Sequence, residues 1–272
     1  MVIPAYAGSL NTKSQRPVAL ITGASSGIGL DLAKLMAPDF DLIITARGQS
    51  KLDEIAAQLQ SKYGNRIHAI AADLAKADGP TQLWSEVTRR GLQVDALINN
   101  AGFGLYGDFK DTNLDDELQM IQVNIASLTH LTKLALPGMI ERKQGRIMNV
   151  ASTAGFQPGP LMAVYYATKA YVISFSEAIA NELKNTGITV TCLCPGATAT
   201  EFASRADMEN SRLFKWGKMK SEDVARVGYR SMMKGRTTVI PGLKNLLLAE
   251  SVRVSPRKVV TAVARYVQER VH

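Results

Sequence analysis

Residues 17–36 read PVALITGASSGIGLDLAKLM. An apolar run of strand character ends at Gly23, and the first helix opens within a few residues. Gly23, Gly27 and Gly29 occupy the junction, where the backbone must bend tightly and come close to a ligand. The first N–H groups of a helix opening there have no partners within the helix, which favours a pyrophosphate. The spacing is G-x-x-x-G-x-G rather than the commoner G-x-G-x-x-G, so the position of the triplet carries the reading more than its pattern.

Outward from this junction, apolar runs alternate with helical patterns. Strands are expected at 17–23, 41–46, 66–72, 94–100, 145–152, 187–195 and 236–242, most of them apolar through their centres as strands covered on both faces are. Between them, residues 50–63 place Leu52, Ile55, Ala56 and Leu59 on one helical face. A longer stripe runs through Leu114, Leu118, Ile121, Ile125, Leu128 and Leu131. Such alternation predicts an α/β fold: a Rossmann-like, doubly wound parallel sheet of about seven strands with helices on both faces. Residues 1–16 read as a flexible tail without the basic and apolar blocks of a secretory signal. Residues 17–272 then form a single dinucleotide-binding domain, with 201–235 as a substrate lid.

The end of the second strand carries a finer clue. An acidic residue there would accept from both ribose hydroxyls of NAD. This chain has Ala46-Arg47-Gly48, and a guanidinium suits the 2′-phosphate of NADP. Farther on, VYYATKAYV (164–172) holds three tyrosines and one lysine. Tyr165 lies four residues before Lys169, one helical turn away on the same face; Tyr166 and Tyr171 have no such partner.

These motifs together resemble the short-chain dehydrogenases/reductases. TGASSGIG, NNAG (99–102), Asn124 in VNI, Ser152 in NVASTAG, YYATK (165–169) and PGATAT (195–200) appear in that family's order over roughly residues 17–200. The resemblance implies NADP(H) as cofactor and Asn124, Ser152, Tyr165 and Lys169 as catalytic residues. Tyr165 would be the acid, its pKa pulled down by the Lys169 ammonium and the oxidised nicotinamide. Ser152 would hold the substrate oxygen, Lys169 the nicotinamide ribose, and Asn124 a water in a proton relay. The implied cofactor contacts are Gly23, Ser25, Ser26, Gly27, Ile28, Gly29, Arg47, Asp73, Leu74, Asn100, Ala101, Gly102, Tyr165, Lys169, Pro195, Gly196, Thr198 and Thr200. No metal is implied. The family also implies a homodimer or homotetramer through the helices carrying Asn124 and Tyr165.

The expected reaction is NADPH-dependent reduction of a medium-to-large apolar ketone or aldehyde, including carrier-bound acyl groups. The alternatives are alcohol oxidation with NADP and a dinucleotide sensor without turnover. Beyond Thr200 the ending PGLKNLLLAESVRV resembles a branch that includes long-chain and steroid-type carbonyl reductases. In the lid region Phe202, Leu213, Phe214, Trp216 and Met219 alternate with Arg205, Arg212, Lys215, Lys218 and Lys220.

Charge is unevenly spread. Residues 1–200 hold 17 Lys and Arg against 17 Asp and Glu, while 201–272 hold 15 against 7, so the whole excess of +8 is C-terminal. That is either a solvated basic surface or a site for an anionic partner: phosphates, an acidic carrier or an anionic membrane face. Nucleic-acid signatures are lacking, and no run is long enough for a membrane span. Cys192 and Cys194 alternate on one strand face, which reads as two buried thiols of a cytoplasmic protein.

Overall fold

The computed structural model describes residues 16–206, 208, 211–215 and 217–270. The tail over 1–15, Trp216 and the Arg205 side chain, all invoked above, lie outside the described residues.

Seven strands form one parallel sheet: β1 (Val18–Thr22), β2 (Asp41–Ala46), β3 (Ile67–Ala71), β4 (Val94–Asn99), β5 (Gly145–Val150), β6 (Ile188–Leu193) and the short β9 (Thr238–Val239). Their order, β3-β2-β1-β4-β5-β6-β9, reverses between β1 and β4. At such a reversal the connections leave in opposite directions and open a crevice at the carboxyl ends of the strands. A separate pair, β7 (Thr198–Ala199) and β8 (Met219–Lys220), lies beyond β6. The expected seventh strand at 236–242 shrinks to two residues: Pro241 has no N–H to give, and an edge strand has neighbours on one side only.

The helices are α1 (Gly27–Met36), α2 (Gln49–Tyr63), α3 (Gly79–Arg89), α4 (Leu114–Ile121), α5 (Leu128–Glu141), α6 (Ala163–Glu182), α7 (Phe202–Arg205), α8 (Arg212–Lys215), α9 (Ser221–Met233), α10 (Leu243–Ser251) and α11 (Arg257–Gln268). Alternate residues of β1 serve opposite faces of the sheet. Ala19 and Ile21 pack with Leu32 of α1, Leu52 of α2 and Val224 of α9, whereas Val18 and Leu20 pack with Leu83 of α3 and Leu131 and Met139 of α5. Of the segment expected as a lid, residues 221–233 form α9, whose Val224, Ala225 and Met232 belong to the core.

The stripe from Leu114 to Leu131 divides. Leu114, Leu118 and Ile121 are exposed, while Leu128 and Leu131 are buried. Between them Gln122–Ser127 winds as a π-turn, which adds a residue to the helix and rotates what precedes it away from the sheet. Cys192 and Cys194 are buried free thiols with sulfurs 3.7 Å apart.

Candidate active site

The loop after β1 and the loop after β4 meet at the crevice. Thr22 Oγ1 donates to the Ile98 carbonyl (3.3 Å) and accepts from the Asn100 and Ala101 N–H groups (3.0 and 2.9 Å). The Asn100 amide donates to the carbonyls of Thr22 (2.8 Å) and Gly23 (3.2 Å). Asn100 is thus a strut under the glycine loop as well as part of the cavity wall. Gly23 and Gly27 adopt φ of +66° and +55°, a region that glycine enters without penalty. A side chain on Gly29 would run into Asn100 Nδ2 and the Gly23 carbonyl, each 2.4 Å from its Cβ position. Ser26 makes no side-chain cap to α1, so the first N–H groups of that helix stay open toward the crevice.

A cavity of about 1380 Å³ extends from this loop, more than the roughly 300–1,000 Å³ of a single small-ligand site. Of the catalytic and cofactor-binding residues expected from the sequence, all but Gly29 and Asn124 line it. Arg47 is exposed on its wall and makes no ion pair among the described residues; the one acid of β2, Asp41, is engaged by Arg66 at 2.8 Å. Asp73 caps its own turn through Ala75 N–H (3.1 Å), and the Leu74 carbonyl accepts from Ser127 Oγ (2.7 Å). Thr200 lies over Gly27, its methyl 3.0 Å from where a Cβ would stand.

Tyr165 and Lys169 lie one turn apart on α6, both buried. Ser152 accepts from Ala154 N–H (3.1 Å), lies 3.3 Å from the Pro195 carbonyl and hydrogen-bonds the Tyr165 phenol. Lys169 Nζ donates to the Val150 carbonyl (3.0 Å) and stands 5.7 Å from the Tyr165 ring. Burial governs both groups. It pushes the Tyr165 phenol up to about 12, against the lowering hydrogen bond from Ser152, and brings the Lys169 ammonium down to about 8. The expected lowering of Tyr165 by Lys169 is therefore not produced by the chain alone, because desolvation disfavours phenolate and ammonium alike.

Asn124 sits in the π-turn, fully engaged. Its amide donates to the Phe103 carbonyl and Thr168 Oγ1, both at 3.0 Å, and its oxygen accepts from Phe103 N–H at 3.2 Å. It clamps the loop after Gly102 beside Lys169, whose Nζ would be 3.4 Å from a Cβ on Gly102. Tyr166 lines the same cavity, while Tyr171 is exposed and stacks on Phe175.

The roof was only partly foreseen. Phe202 of α7 packs on Tyr165 at 5.2 Å between ring centres, and Leu213 and Phe214 of α8 line the cavity. The opposite side is made by α10 and α11 through Leu248, Val259 and Val263. The i, i+4 spacing of Val259, Val263 and Val267 was the available signal. The C-terminal segment is latched across the site. Gln268, buried, donates to the Tyr166 hydroxyl, its carbonyl accepts from Tyr106 (3.1 Å), and Arg212 pairs with Glu269 (2.9 Å) over the Tyr266 ring.

A glycine loop at a strand-order reversal, with Ser, Tyr and Lys converging beyond it, is the architecture of a short-chain dehydrogenase. The chain belongs to that family, matching the short chain dehydrogenase model over residues 17–211. It is 39% identical over 180 residues to a very-long-chain 3-oxoacyl-CoA reductase of Phaeosphaeria nodorum, covering 64% of this chain and 53% of that protein. The chain thus spans about half the length of that relative. A short-chain dehydrogenase from Sphingobium yanoikuyae in complex with NADPH superposes with a TM-score of 0.80 at 30% identity, over 88% of this chain and 92% of that one. The bulky-bulky ketone specific alcohol dehydrogenase from Comamonas testosteroni gives 0.75 at 27% identity, over 89% and 93%.

Proposed function

We propose that the chain is an NADPH-dependent reductase of apolar ketones, with 3-oxoacyl thioesters as the leading substrate class. The observation that carries this reading is the apolar roof over Tyr165: Phe202, Leu213, Phe214, Val259 and Val263 continue the cavity beyond the Ser152–Tyr165 pair. The open N-terminus of α1 suits a pyrophosphate, Arg47 suits a 2′-phosphate, and Asp73 and Gly102 border the remaining length. When bound, the nicotinamide supplies the hydride. Ser152 then holds the carbonyl oxygen, and Tyr165 delivers its phenolic proton to that oxygen as the carbon is reduced. Lys169 keeps a positive charge near the phenol, and Asn124 fixes the loop beside it. The reductase name of the relatives supports the acyl substrate, and the buried free thiols suit a cytoplasmic setting.

The test is NADPH oxidation with 3-oxoacyl thioesters of increasing chain length. Rates should rise with chain length, and Tyr165→Phe should lower kcat by more than about a hundredfold. NADPH binding without turnover on any ketone or thioester would overturn the reading in favour of a dinucleotide-binding protein. The exposed Leu114, Leu118 and Ile121 further support a homodimer through α4. Leu118→Glu should then halve the mass measured by light scattering, and a monomeric parent would refute that part.

A further inference from the structure

A further exposed apolar surface lies on α10 and the turn after it. A helix of nine residues ordinarily buries one face, yet on α10 Leu243, Leu246, Leu247 and Leu248 are all exposed, Leu243 to 72% and Leu247 to 62%. Val254, in the turn that follows, is 88% exposed. Contiguous apolar surface of this kind marks a place where something docks. Leu243 and Leu248 also line the cavity, so the patch is continuous with its mouth.

The same stretch of chain is cationic. Across residues 243–263 stand Lys244, Arg253, Arg257 and Lys258, against the single acid Glu250. Glu250 is engaged by Arg253 at 3.2 Å; Lys244, Arg257 and Lys258 are exposed and make no ion pair among the described residues. Exposed leucines with unpaired cations close by in the chain form the pattern of an interfacial segment.

We propose that α10 and α11 dock the protein on an anionic lipid surface. Leu246, Leu247 and Val254 enter the boundary between headgroups and acyl chains, Lys244, Arg257 and Lys258 meet the phosphates, and the cavity opens toward the bilayer. Charge decides between occupants. A second copy docking through the same patch would set like charges against each other. An acidic protein would satisfy the cations, but it gives no reason for leucines standing almost free in solvent. No helix among the described residues is long and apolar enough to cross a membrane, and the proposed contact is a peripheral one.

The experiment is co-sedimentation of the full chain with vesicles of phosphatidylcholine alone and of phosphatidylcholine mixed with phosphatidylglycerol. The mixed vesicles should bind at least about tenfold more tightly, and added salt should weaken that binding. Leu246→Ser/Leu247→Asp should lower it by a further tenfold or more, and Arg257→Glu/Lys258→Glu should remove the preference for phosphatidylglycerol. Both variants should turn over a short water-soluble ketone as the parent does, which shows that they fold. Equal or absent binding to the two vesicle types would overturn the proposal. So would binding to polyglutamate without vesicle binding, which points to an acidic protein. A fall in mass of the Leu246→Ser/Leu247→Asp variant without parental vesicle binding would instead assign the patch to a second copy.

Discussion

Replacing Gly29 by alanine tests the glycine loop most directly. The new Cβ would stand 2.4 Å from both the Gly23 carbonyl and Asn100 Nδ2, about 1 Å inside ordinary contact with each. Neither neighbour retreats freely. The carbonyl belongs to a turn with φ of +66°, and the Asn100 amide is committed to the Thr22 and Gly23 carbonyls. Overpacking costs about 1–3 kcal/mol, and the weakened amide bonds add about 1 kcal/mol. The better helix propensity of alanine returns up to about 1 kcal/mol. The net loss is about 1–3 kcal/mol, which at this chain length lowers Tm by roughly 3–9 °C. Gly48→Ala is the control, because Gly48 has φ of −91° and no atom within 4 Å of its Cβ position; its Tm should stay level or rise slightly. Thermal melts followed by circular dichroism read both, and NADPH titration should show an affinity loss above about tenfold for Gly29→Ala alone. A Gly29→Ala protein that melts with the parent and binds NADPH equally would refute the close-packing argument.

Arg47→Ala should raise the KM for NADPH by about tenfold, the lower end for a charge-assisted contact at an exposed site, and leave that for NADH within about twofold; equal effects on both cofactors would remove Arg47 from the 2′-phosphate. Lysine is charged below its pKa, so with Lys169 held near 8 the kcat/KM for ketone reduction should be level at lower pH and fall about tenfold per unit above it. A profile flat to pH 10 would show that the Lys169 charge is not required. Gln268→Leu removes the donor to Tyr166 but leaves Ser152 and Tyr165 in place. It should raise the KM for long apolar ketones by about threefold to tenfold with kcat nearly unchanged, and a kcat collapse would mean that the latch shapes the reacting centre itself.

The strand–helix alternation, the glycine junction and the Tyr165–Lys169 pair were legible in the sequence because each is local. Period-2 and period-3.6 patterns, a turn that needs glycine, and two side chains one helical turn apart all depend on neighbours within a few residues. The absence of a carboxylate beside Arg47 was legible for the same reason. What required the tertiary structure joins distant segments. Asn100 reads as cofactor wall until Thr22 and Gly23 are found above it; the stripe from Leu114 reads as one face until the π-turn at Gln122–Ser127 divides it. The pKa of Tyr165 also rests on burial by elements far away in the chain, which no spacing from Lys169 encodes. Likewise α11 closes the cavity from 102 residues beyond Tyr166, through one buried glutamine that carries no motif. Local patterns specify which elements form and where their chemistry sits, whereas the solvent exposure of those groups is a property of the packed whole.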